Sequence, residues 1–405
     1  MTMCKRFAIV AAVLAVVTGP PKGGHHVLHA QQNAQVLDVP GGKIRVVTVA
    51  TGLFHPWSIG FTPDGAVLVA ERNGNLRIIR DGAMKPEPVW TSPTPPGTAQ
   101  GGPDTLHGLA VHPKFAQNHL VYVSYPKLGP KGNTLAISRG RLEGDKLTEL
   151  AEIFVADAWE TSGNLAGHMM FGPDSTLYVM VGDRDRLCCT GSEDNSLRMK
   201  AQTLDNHVGK TLRIKDDGGV PADNPFVGRA GAKPEIFTYG HRNGYGLSIN
   251  PQTGELWQAE IGPMGGDEVN ILQPGHNYGW PLVSMGRNYT GSLPSDQPYS
   301  RPGMDNPRMF WVPSISPSSI LWYTGDKFPN WKNSLFVGAL TTRVLLRVSF
   351  GQPSQAERRD QLLKELNVRI RDVQQSPDGY IYVATEGAIG GPTADGMVLR
   401  LEPAN

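Results

Sequence analysis

The chain has few cysteines, no apolar run long enough to cross a membrane, and no excess charge of either sign. Its 405 residues include three cysteines. Cys188 and Cys189 are adjacent, so they form either a vicinal disulfide or two loop thiols without a catalytic role. A zinc site needs more ligands at wider spacing. With 38 Lys+Arg against 37 Asp+Glu, nothing attracts a polyanion, and we expect no nucleic-acid partner.

One apolar run, Phe7 to Val17, follows Lys5 and Arg6 near the N-terminus. It is too short to span a bilayer but has the length of a signal-peptide core. Gly19 and the prolines after it end the run. We predict a signal peptide over residues 1–30, a periplasmic or secreted protein, and no membrane span in the mature chain.

Gly and Pro are abundant, with 48 and 33 residues, and they recur within one repeated pattern. Each copy has an apolar strand, a tight turn and a second strand rich in β-branched and aromatic residues. Clear copies are WSIGFTPDGAVLV, MMFGPDSTLYV and VQQSPDGYIYV, starting at Trp57, Met169 and Val373; others start at Gly108, Gly246 and Phe328. Six blade-sized copies predict an all-β six-bladed β-propeller over residues 36–402. The strand pattern from Val36 to Val49 would complete the ring.

Equivalent residues of a repeat lie at the same height around the propeller axis. The positions at the start of the predicted innermost strands hold polar or cationic side chains. They are His55, His107, Asn164 to His168, Arg242 with Asn243, Ser316 to Ser319, and Arg369 with Arg371. We expect these side chains to converge on one mouth of the central channel, where a propeller binds its ligand.

The stretch from Tyr239 to Trp280 combines an Arg-containing turn with a Gly-Pro turn that precedes Asp267 and Glu268. Exposed carbonyls beside a carboxylate suit Ca²⁺, and an arginine suits a carboxylate or oxyanion; the acidic pair could also be a solvated turn. Together with the segments VGKTLR, DNPF, SPSS and RIRDV, the motifs GHRN, EIGPMGGDEVN and NYGWP resemble the soluble quinoprotein sugar dehydrogenases. This is the glucose/sorbosone and aldose sugar dehydrogenase family of six-bladed propellers, which use pyrroloquinoline quinone (PQQ) and Ca²⁺. The similarity runs from about Gly52 to the C-terminus.

The resemblance implies a cofactor site and two calcium positions. Arg242 and Asn243 match the Arg-Asn beside the quinone, Arg369 and Arg371 match the pair that binds its carboxylates, and Thr341 stands where the family has a lysine, with Arg343 two residues on. The residues that match calcium ligands are Gly262 and Pro263 for the cofactor's ion, and Glu268 and Tyr278 for a second one.

The family's catalytic base is a histidine in an H-x-x-G-R-L pattern, and this chain departs from it. The segment reads NLAGHM, so Asn164 stands at the base position and His168 at the arginine position. The glutamine of the family's QGGLLG is also out of register, at Gln100. An asparagine cannot accept a proton at neutral pH, whereas sugar oxidation requires one to be removed from the hydroxyl. We expect His168, or else His107, to take this role.

Three functions remain open from the sequence. The first is an exported PQQ- and Ca²⁺-dependent dehydrogenase of aldoses or related polyols that passes electrons to a soluble acceptor. The second is a ligand-binding propeller that has lost catalysis. The third, a metal-dependent lactonase-like hydrolase, lacks a convincing set of side-chain ligands. Two smaller expectations are that Asp183 to Arg186 (DRDR) form an exposed ion-pair run and that His241 braces its turn.

Overall fold

The structure, a computed structural model, describes residues 34–95, 105–161, 163–185, 195–351, 357–387 and 394–404. Within these residues, nearly all regular structure is β-strand. The strands are β1 (Ala34–Val39), β2 (Gly42–Leu53), β3 (Pro56–Phe61), β4 (Val67–Glu71), β5 (Asn75–Arg80), β6 (Ala83–Met84), β7 (Trp90–Thr91), β8 (Gly108–Val111), β9 (Leu120–Gly129), β10 (Gly132–Glu143), β11 (Lys146–Val155), β12 (Ala166–Phe171), β13 (Leu177–Val181), β14 (Lys210–Ile214), β15 (Ile236–Tyr239), β16 (Gly244–Ile249), β17 (Leu256–Glu260), β18 (Asp267–Leu272), β19 (Met309–Trp311), β20 (Pro317–Trp322), β21 (Leu335–Ala339), β22 (Leu345–Ser349), β23 (Arg358–Leu362), β24 (Arg369–Gln375), β25 (Ile381–Glu386) and β26 (Gly396–Ala404).

Helices are few and short in the described part of the chain. They are α1 (Phe115–Asn118), α2 (Asn195–Met199) and the 3₁₀ turns Lys200–Gln202, Pro329–Trp331 and Lys364–Leu366. None of the described helices is long and apolar enough to cross a membrane. The predicted signal peptide, Gln100, and the pair Cys188 and Cys189 lie outside the described residues.

The described strands form six antiparallel sheets, each of which is one blade. Five sheets are built from consecutive strands, which begin at β3, β8, β12, β16 and β20. The sixth has the order β1-β2-β26-β25-β24, so N-terminal and C-terminal strands share one blade and close the ring. The six-bladed propeller predicted from the repeats is confirmed.

The first strand of each blade lines the centre of the ring. Contacts join β3 to β8, β8 to β12, β12 to β16, β16 to β20, β20 to β24, and β24 back to β3. These six inner strands enter from one end of the channel, so the residues before them share that end. We call this end the mouth.

The repeated Pro-containing turns connect the first and second strands of the blades. After β3, the amide of Gly65 donates to the carbonyl of Thr62 (2.9 Å), and after β24 the amide of Gly379 donates to that of Ser376 (2.9 Å). Both glycines have φ of +86°, a conformation that glycine adopts without steric cost. One turn chemistry therefore builds the same corner at sequence positions more than three hundred residues apart.

Apolar side chains fill the spaces between neighbouring blades. Trp257 of β17 packs edge-on against Trp322 of β20, with ring centroids 5.0 Å apart, and both belong to a buried cluster between these blades. A second cluster joins the closing blade to its neighbour and includes Tyr323, Phe336 and Ile370. Because each blade buries its faces against its neighbours, the scaffold holds the mouth residues in fixed positions.

Candidate functional site

The mouth brings together most of the residues that the sequence singles out. His55 precedes β3, His107 precedes β8, and Arg242 with Asn243 precede β16, while Asn164 lies two residues before β12. Ser316 precedes β20, and Arg369 is the first residue of β24. The predicted convergence of polar and cationic side chains on one end of the channel agrees with this arrangement of strands.

Trp57, the second residue of β3, is the centre of a cluster at the mouth. Its ring centroid lies 5.0 Å from that of His107 and 5.7 Å from that of Tyr245. The guanidinium carbon of Arg371 lies 4.3 Å from the same ring, a cation–π contact. We call these four residues the Trp57 cluster; they come from four blades.

The position of the proton on His107 follows from its hydrogen bond. Its Nδ1 lies 2.7 Å from the carbonyl oxygen of Ala166, which can only accept, so Nδ1–H is the donor. In the neutral ring the lone pair then lies on Nε2. His107 is 5 % exposed and contacts Trp57, so its imidazole is held in a fixed orientation within the mouth.

Arg369 and Arg371 share one carboxylate. Nε of Arg369 and Nη2 of Arg371 donate to the same oxygen of Glu386, at 2.8 and 2.6 Å. Burial by itself raises the pKa of Glu386, but the charges and hydrogen bonds of the two arginines lower it to about 2. Nε of Arg371 is buried without a hydrogen-bond partner among the described residues. Two cations against one anion leave the pair with a net positive charge.

We predict that Glu386→Gln lowers the free energy of unfolding at pH 7 by about 3–5 kcal/mol, because it leaves the buried guanidinium of Arg371 and the partly buried one of Arg369 without their counter-ion. Because the pKa of Glu386 is lower in the folded protein than its ordinary value of 4.5, its ion pairs stabilise the wild type fully above about pH 4.5. This stabilisation is lost as the pH falls towards 2. Urea unfolding between pH 7 and pH 3 should therefore show a smaller acid dependence in the variant. Glu402→Gln, at a partly exposed pair with Arg400, is the control, with an expected loss below about 1 kcal/mol. Equal losses in both variants would contradict the prediction.

Arg242 lies buried on the adjoining part of the mouth. Its Nη1 donates to the carbonyl oxygens of Ile261 and Gly262, at 2.9 and 2.8 Å. Its guanidinium carbon lies 5.5 Å from the Trp280 ring. Burial alone lowers the pKa of Arg242, but Asp183 and other neighbours raise it, so the group stays charged. Nε of Arg242 is buried and has no hydrogen-bond partner within the described residues.

Asn243, next along the chain, is also buried. Its Nδ2 donates to the hydroxyl oxygen of Tyr245 at 3.3 Å, which connects it to the Trp57 cluster. Its Oδ1 is buried without a hydrogen-bond donor among the residues that the structure describes. The mouth thus presents both donors and an acceptor that a bound molecule could satisfy.

An exposed ion-pair run was expected at Asp183 to Arg186. This expectation is wrong for Asp183, Arg184 and Asp185, the three of these residues that the structure describes. Asp183, Arg184 and Asp185 are 0 %, 1 % and 2 % exposed; Arg186 lies outside the described residues. Asp183 accepts from Nε1 of Trp280 (2.8 Å) and Asp185 binds Arg198 (2.8 Å). Alternating charges resemble a solvated turn in sequence, but here each charge has a partner from a distant segment.

Asn164, at the family's base position, is held by the segment from Asp183 to Asp185. Its Nδ2 donates to Oδ1 of Asp183 at 2.9 Å. Burial raises the pKa of Asp183, while the Arg242 charge opposes that shift. The segment therefore connects Asn164 to Arg242 through one buried carboxylate.

His168 lies away from this group, contrary to its expected place at the mouth. It is the third residue of β12 and lines a cavity of about 490 Å³ formed by the C-terminal halves of the inner strands. Its neighbours in that cavity include Met169, Ser248 and Gln374. Burial lowers the pKa of His168, with Asp372 opposing the shift. We call this space the opposite cavity, because it lies at the far end of the inner strands.

Thr341 lies exposed on the rim. Its hydroxyl is 2.7 Å from that of Ser316, and its amide donates to Ile315 (3.0 Å). Arg343, two residues on, donates to the side-chain oxygen of Asn367 at 3.2 Å. Besides burial, the charge of Arg343 is among the influences that lower the pKa of Arg369, so this loop places a cation near the arginine pair.

The predicted calcium ligands lie in two different settings. Gly262 and Glu268 line one narrow cavity together with Arg242 and Glu260. Asn270 donates to both carboxylates, at 2.7 Å to Glu260 and 3.2 Å to Glu268. Burial, and then the charge of Glu260, raise the pKa of Glu268 well above its ordinary value. Carboxylate and carbonyl oxygens are the donors that Ca²⁺ prefers, although Arg242 holds the Gly262 carbonyl here.

Pro263 and Tyr278 add less to this cavity. Pro263 is buried next to Gly262. The hydroxyl of Tyr278 donates to Ile271 (2.6 Å) and accepts from the amide of Gln273 (2.8 Å), so it is committed to the backbone. Its ring stacks on His241 at 4.9 Å. In the described parts of the chain, no group of three or more His, Cys, Asp or Glu side chains could hold a metal.

His241 braces its turn, as expected. Its Nδ1 lies 3.0 Å from Oε1 of Glu260 and its Nε2 lies 2.9 Å from the hydroxyl of Thr238. Several other site residues were missed from the sequence: Trp57, Asp183, Trp280, Tyr289 and Glu386. Trp57 and Trp280 had a signal, since one begins the first repeat and the other is the fourth residue of NYGWP.

The model of the glucose/sorbosone dehydrogenase family matches residues 53–394. The chain belongs to this family. Aldose sugar dehydrogenase YliI of Escherichia coli K12 is 35 % identical over 368 residues, covering 89 % of this chain and 94 % of that protein. Quinoprotein glucose dehydrogenase B of Acinetobacter calcoaceticus is 26 % identical, covering 86 % and 87 %.

A solved structure extends this similarity to the fold. It is the PQQ-bound form of an aldose sugar dehydrogenase from Streptomyces coelicolor, with a TM-score of 0.66 and 25 % identity. The match covers 92 % of this chain and 98 % of that one. The family resemblance predicted from the motifs is therefore confirmed over nearly the whole propeller.

Proposed function

We propose that the protein is an exported PQQ- and Ca²⁺-dependent oxidoreductase that oxidises aldose sugars or related polyols. The observation that carries this proposal is the presence of two buried guanidinium N–H groups, on Arg242 and Arg371, without partners among the described residues. Buried donors of this kind cost free energy unless a ligand satisfies them. The membership of the family supports the choice of a quinone as that ligand.

The residues of the mouth fit a flat, polyanionic cofactor. Arg369 and Arg371 provide charge-assisted donors for its carboxylates, and Arg371 stacks on Trp57. Arg242 provides a further donor and Asn243 a side-chain acceptor or donor. A bound PQQ would supply the two-electron acceptor for the hydride and pass electrons to a soluble acceptor. Thr341 would contact it only from the rim.

The chain's own residues then have two tasks: to stabilise the negative charge that develops at the mouth and to accept the proton of the sugar hydroxyl. We propose that Nε2 of His107 accepts the proton of the sugar hydroxyl. The hydrogen bond from Nδ1 to the carbonyl of Ala166 places the lone pair of the neutral ring on Nε2. His168 is the weaker candidate because it lines the opposite cavity. Arg242, charged and buried, stabilises negative charge that develops at the mouth. Asn164 positions the hydroxyl by hydrogen bonding and takes no proton.

Reconstitution tests the function. Apo-protein incubated with PQQ and Ca²⁺ should reduce a soluble dye in the presence of aldoses, with saturable rates that depend on the sugar. Omitting the quinone gives the control rate. Saturable quinone binding without dye reduction for any aldose or polyol would exclude the dehydrogenase.

A second function, a quinone-binding propeller without catalysis, is favoured by Asn164 at the family's base position. Asn164→His separates the two functions. Because Asp183 accepts a hydrogen bond at this site, it can orient the new imidazole as a base, so we expect a higher rate or a shifted pH optimum. An inert wild type with an active Asn164→His variant would identify the chain as a lapsed enzyme. Asn367→His, directly after the 3₁₀ turn Lys364–Leu366, is the control and should change neither property.

Calcium is the third part of the proposal, with Gly262 and Pro263 at the cofactor's ion and Glu268 and Tyr278 at a second ion. Chelation should lower the melting temperature and Ca²⁺ should restore it, since an ion that binds only the folded state at a hundredfold excess over Kd stabilises it by about 2.7 kcal/mol. Differential scanning fluorimetry of the wild type, Glu268→Gln and the exposed control Glu365→Gln measures this. Glu268→Gln should lose the part of the response that the second ion contributes, and Glu365→Gln should respond as the wild type does. An unchanged wild-type curve across chelator concentrations would count against the site.

Export rests on the predicted signal peptide, residues 1–30. Expression of the full chain in a Gram-negative host should give a processed protein in the periplasmic fraction. An unprocessed protein retained in the cytosol would contradict it.

A further inference from the structure

Tyr289 is an exposed aromatic residue beside the buried arginine of the mouth. It lies in the long connection between β18 and β19 and is 39 % exposed. Its ring centroid is 6.0 Å from the guanidinium carbon of Arg242. A large aromatic surface is therefore presented to solvent at the proposed reaction site.

The turn that carries Tyr289 is tightly closed. The amide of Asn288 donates to Ser292 (3.0 Å) and the amide of Gly291 donates to Asn288 (2.8 Å). Nδ2 of Asn288 also donates to Oγ of Ser292 at 3.0 Å. These bonds fix the backbone on both sides of Tyr289.

A buried ionic chain attaches this turn to the segment that holds Asn164. Arg198 donates to Oδ1 of Asn288 (3.0 Å) and, through two nitrogens, to Oδ2 of Asp185 (3.1 and 2.8 Å). Arg198, Asp185 and Asn288 are all buried. Asp185 is two residues from Asp183, which binds Asn164. One rigid unit thus presents Tyr289 and Asn164 to the same mouth.

We propose that Tyr289 is a specificity-determining residue that binds the ring of an aldopyranose substrate. This inference rests on the proposed function and names its substrate class. A pyranose presents a face of C–H groups between its hydroxyls, and a tyrosine offers an apolar face with a polar edge. Tyr289 binds the C–H face, while Arg242 and Asn164 face the hydroxyls. A three-carbon polyol has no such ring face and gains less from this contact.

The test compares Tyr289→Ala and Tyr289→Phe with the control Tyr299→Ala. Tyr299 lies in the same connection and is 53 % exposed, and within the described residues no ring or cation–π contact joins it to the mouth. In Tyr289→Ala we expect KM for glucose to rise roughly three- to tenfold, the loss of one aromatic contact, with kcat changed less. KM for glycerol and the affinity for PQQ should be unchanged. Tyr289→Phe keeps the ring and should stay near wild type, as should Tyr299→Ala.

Two results would overturn the assignment. One is an unchanged KM for glucose in Tyr289→Ala, or the same rise in Tyr299→Ala. The other is a loss of PQQ affinity that matches the rise in KM, which would make Tyr289 a quinone contact.

A binding measurement separates this inference from the proposed function. Saturation-transfer NMR of the apo-protein with glucose should give a signal that Tyr289→Ala loses and Tyr289→Phe retains. If that holds while no dye is reduced, the oxidoreductase proposal falls and the sugar-binding role of Tyr289 stands. Absence of a wild-type signal at saturating glucose would overturn the role of Tyr289, whatever the dye assay shows.

Discussion

His107→Ala should reduce the turnover of the PQQ-loaded protein by about 10²–10⁴-fold, the usual contribution of a positioned general base. Quinone binding should remain, because the contact between Arg371 and the Trp57 ring does not involve His107. The physical reason is the hydrogen bond of Nδ1 to Ala166 (2.7 Å), which leaves Nε2 as the proton acceptor. Stopped-flow reduction of the bound quinone by glucose measures the affected step directly.

His168→Ala is the matched control for this prediction. His168 is as buried as His107, at 4 % exposure, but it lines the opposite cavity, so its loss should change turnover little. The reverse result, with His168→Ala inactive and His107→Ala active, would support His168 as the base, as the sequence analysis predicted first. Full activity in the double variant would refute both assignments.

Arg371→Ala should weaken PQQ binding by about 10- to 150-fold, which corresponds to the roughly 1.5–3 kcal/mol of one charge-assisted hydrogen bond. The variant removes a buried donor and the cation stacked on Trp57, and it returns Glu386 to Arg369 alone. Fluorescence titration of the apo-protein with PQQ measures the change. Melting curves check that the variant is folded.

Arg358→Ala serves as the control for loss of positive charge. Its side chain is 66 % exposed and pairs with Asp360 on the outer strand of its blade. Quinone affinity should be unchanged in this variant. Equal weakening in both variants would mean that net charge alone attracts the quinone, and would contradict a specific site at Arg371.

The fold was predictable because the repeat encodes it at two levels. The Pro-containing turns, such as those that end at Gly65 and Gly379, specify the corner between two strands. The count and spacing of the copies then specify the number of blades. The positions of His55, His107, Arg242 and Arg369 at the mouth follow from the same repetition.

Pairing between distant segments was not predictable in this way. The sequence suggests that the carboxylates of Asp183 and Asp185 are exposed to solvent, because their partners, Trp280 and Arg198, are not adjacent to them in the chain. Glu386 was missed for the same reason, since nothing near it in sequence indicates that it binds two arginines.

The sequence analysis favoured His168 over His107 as the base, which shows how far the position of a single side chain can be predicted from sequence. His168 lies four residues after Asn164 in sequence, but β12 begins between them at Ala166. The strand carries His168 along the channel wall, away from the group around Asn164. Proximity in sequence is a weak guide wherever an extended strand intervenes, because each residue advances about 3.3 Å.

A crystal structure of the chain with PQQ and Ca²⁺ tests the central proposal most directly. We expect the quinone in the mouth, its carboxylates on Arg369 and Arg371, its ring system against Trp57, and Arg242 within hydrogen-bonding distance. Quinone bound in the opposite cavity, or a mouth that stays empty at saturating quinone while Arg242 and Arg371 keep their positions, would contradict it.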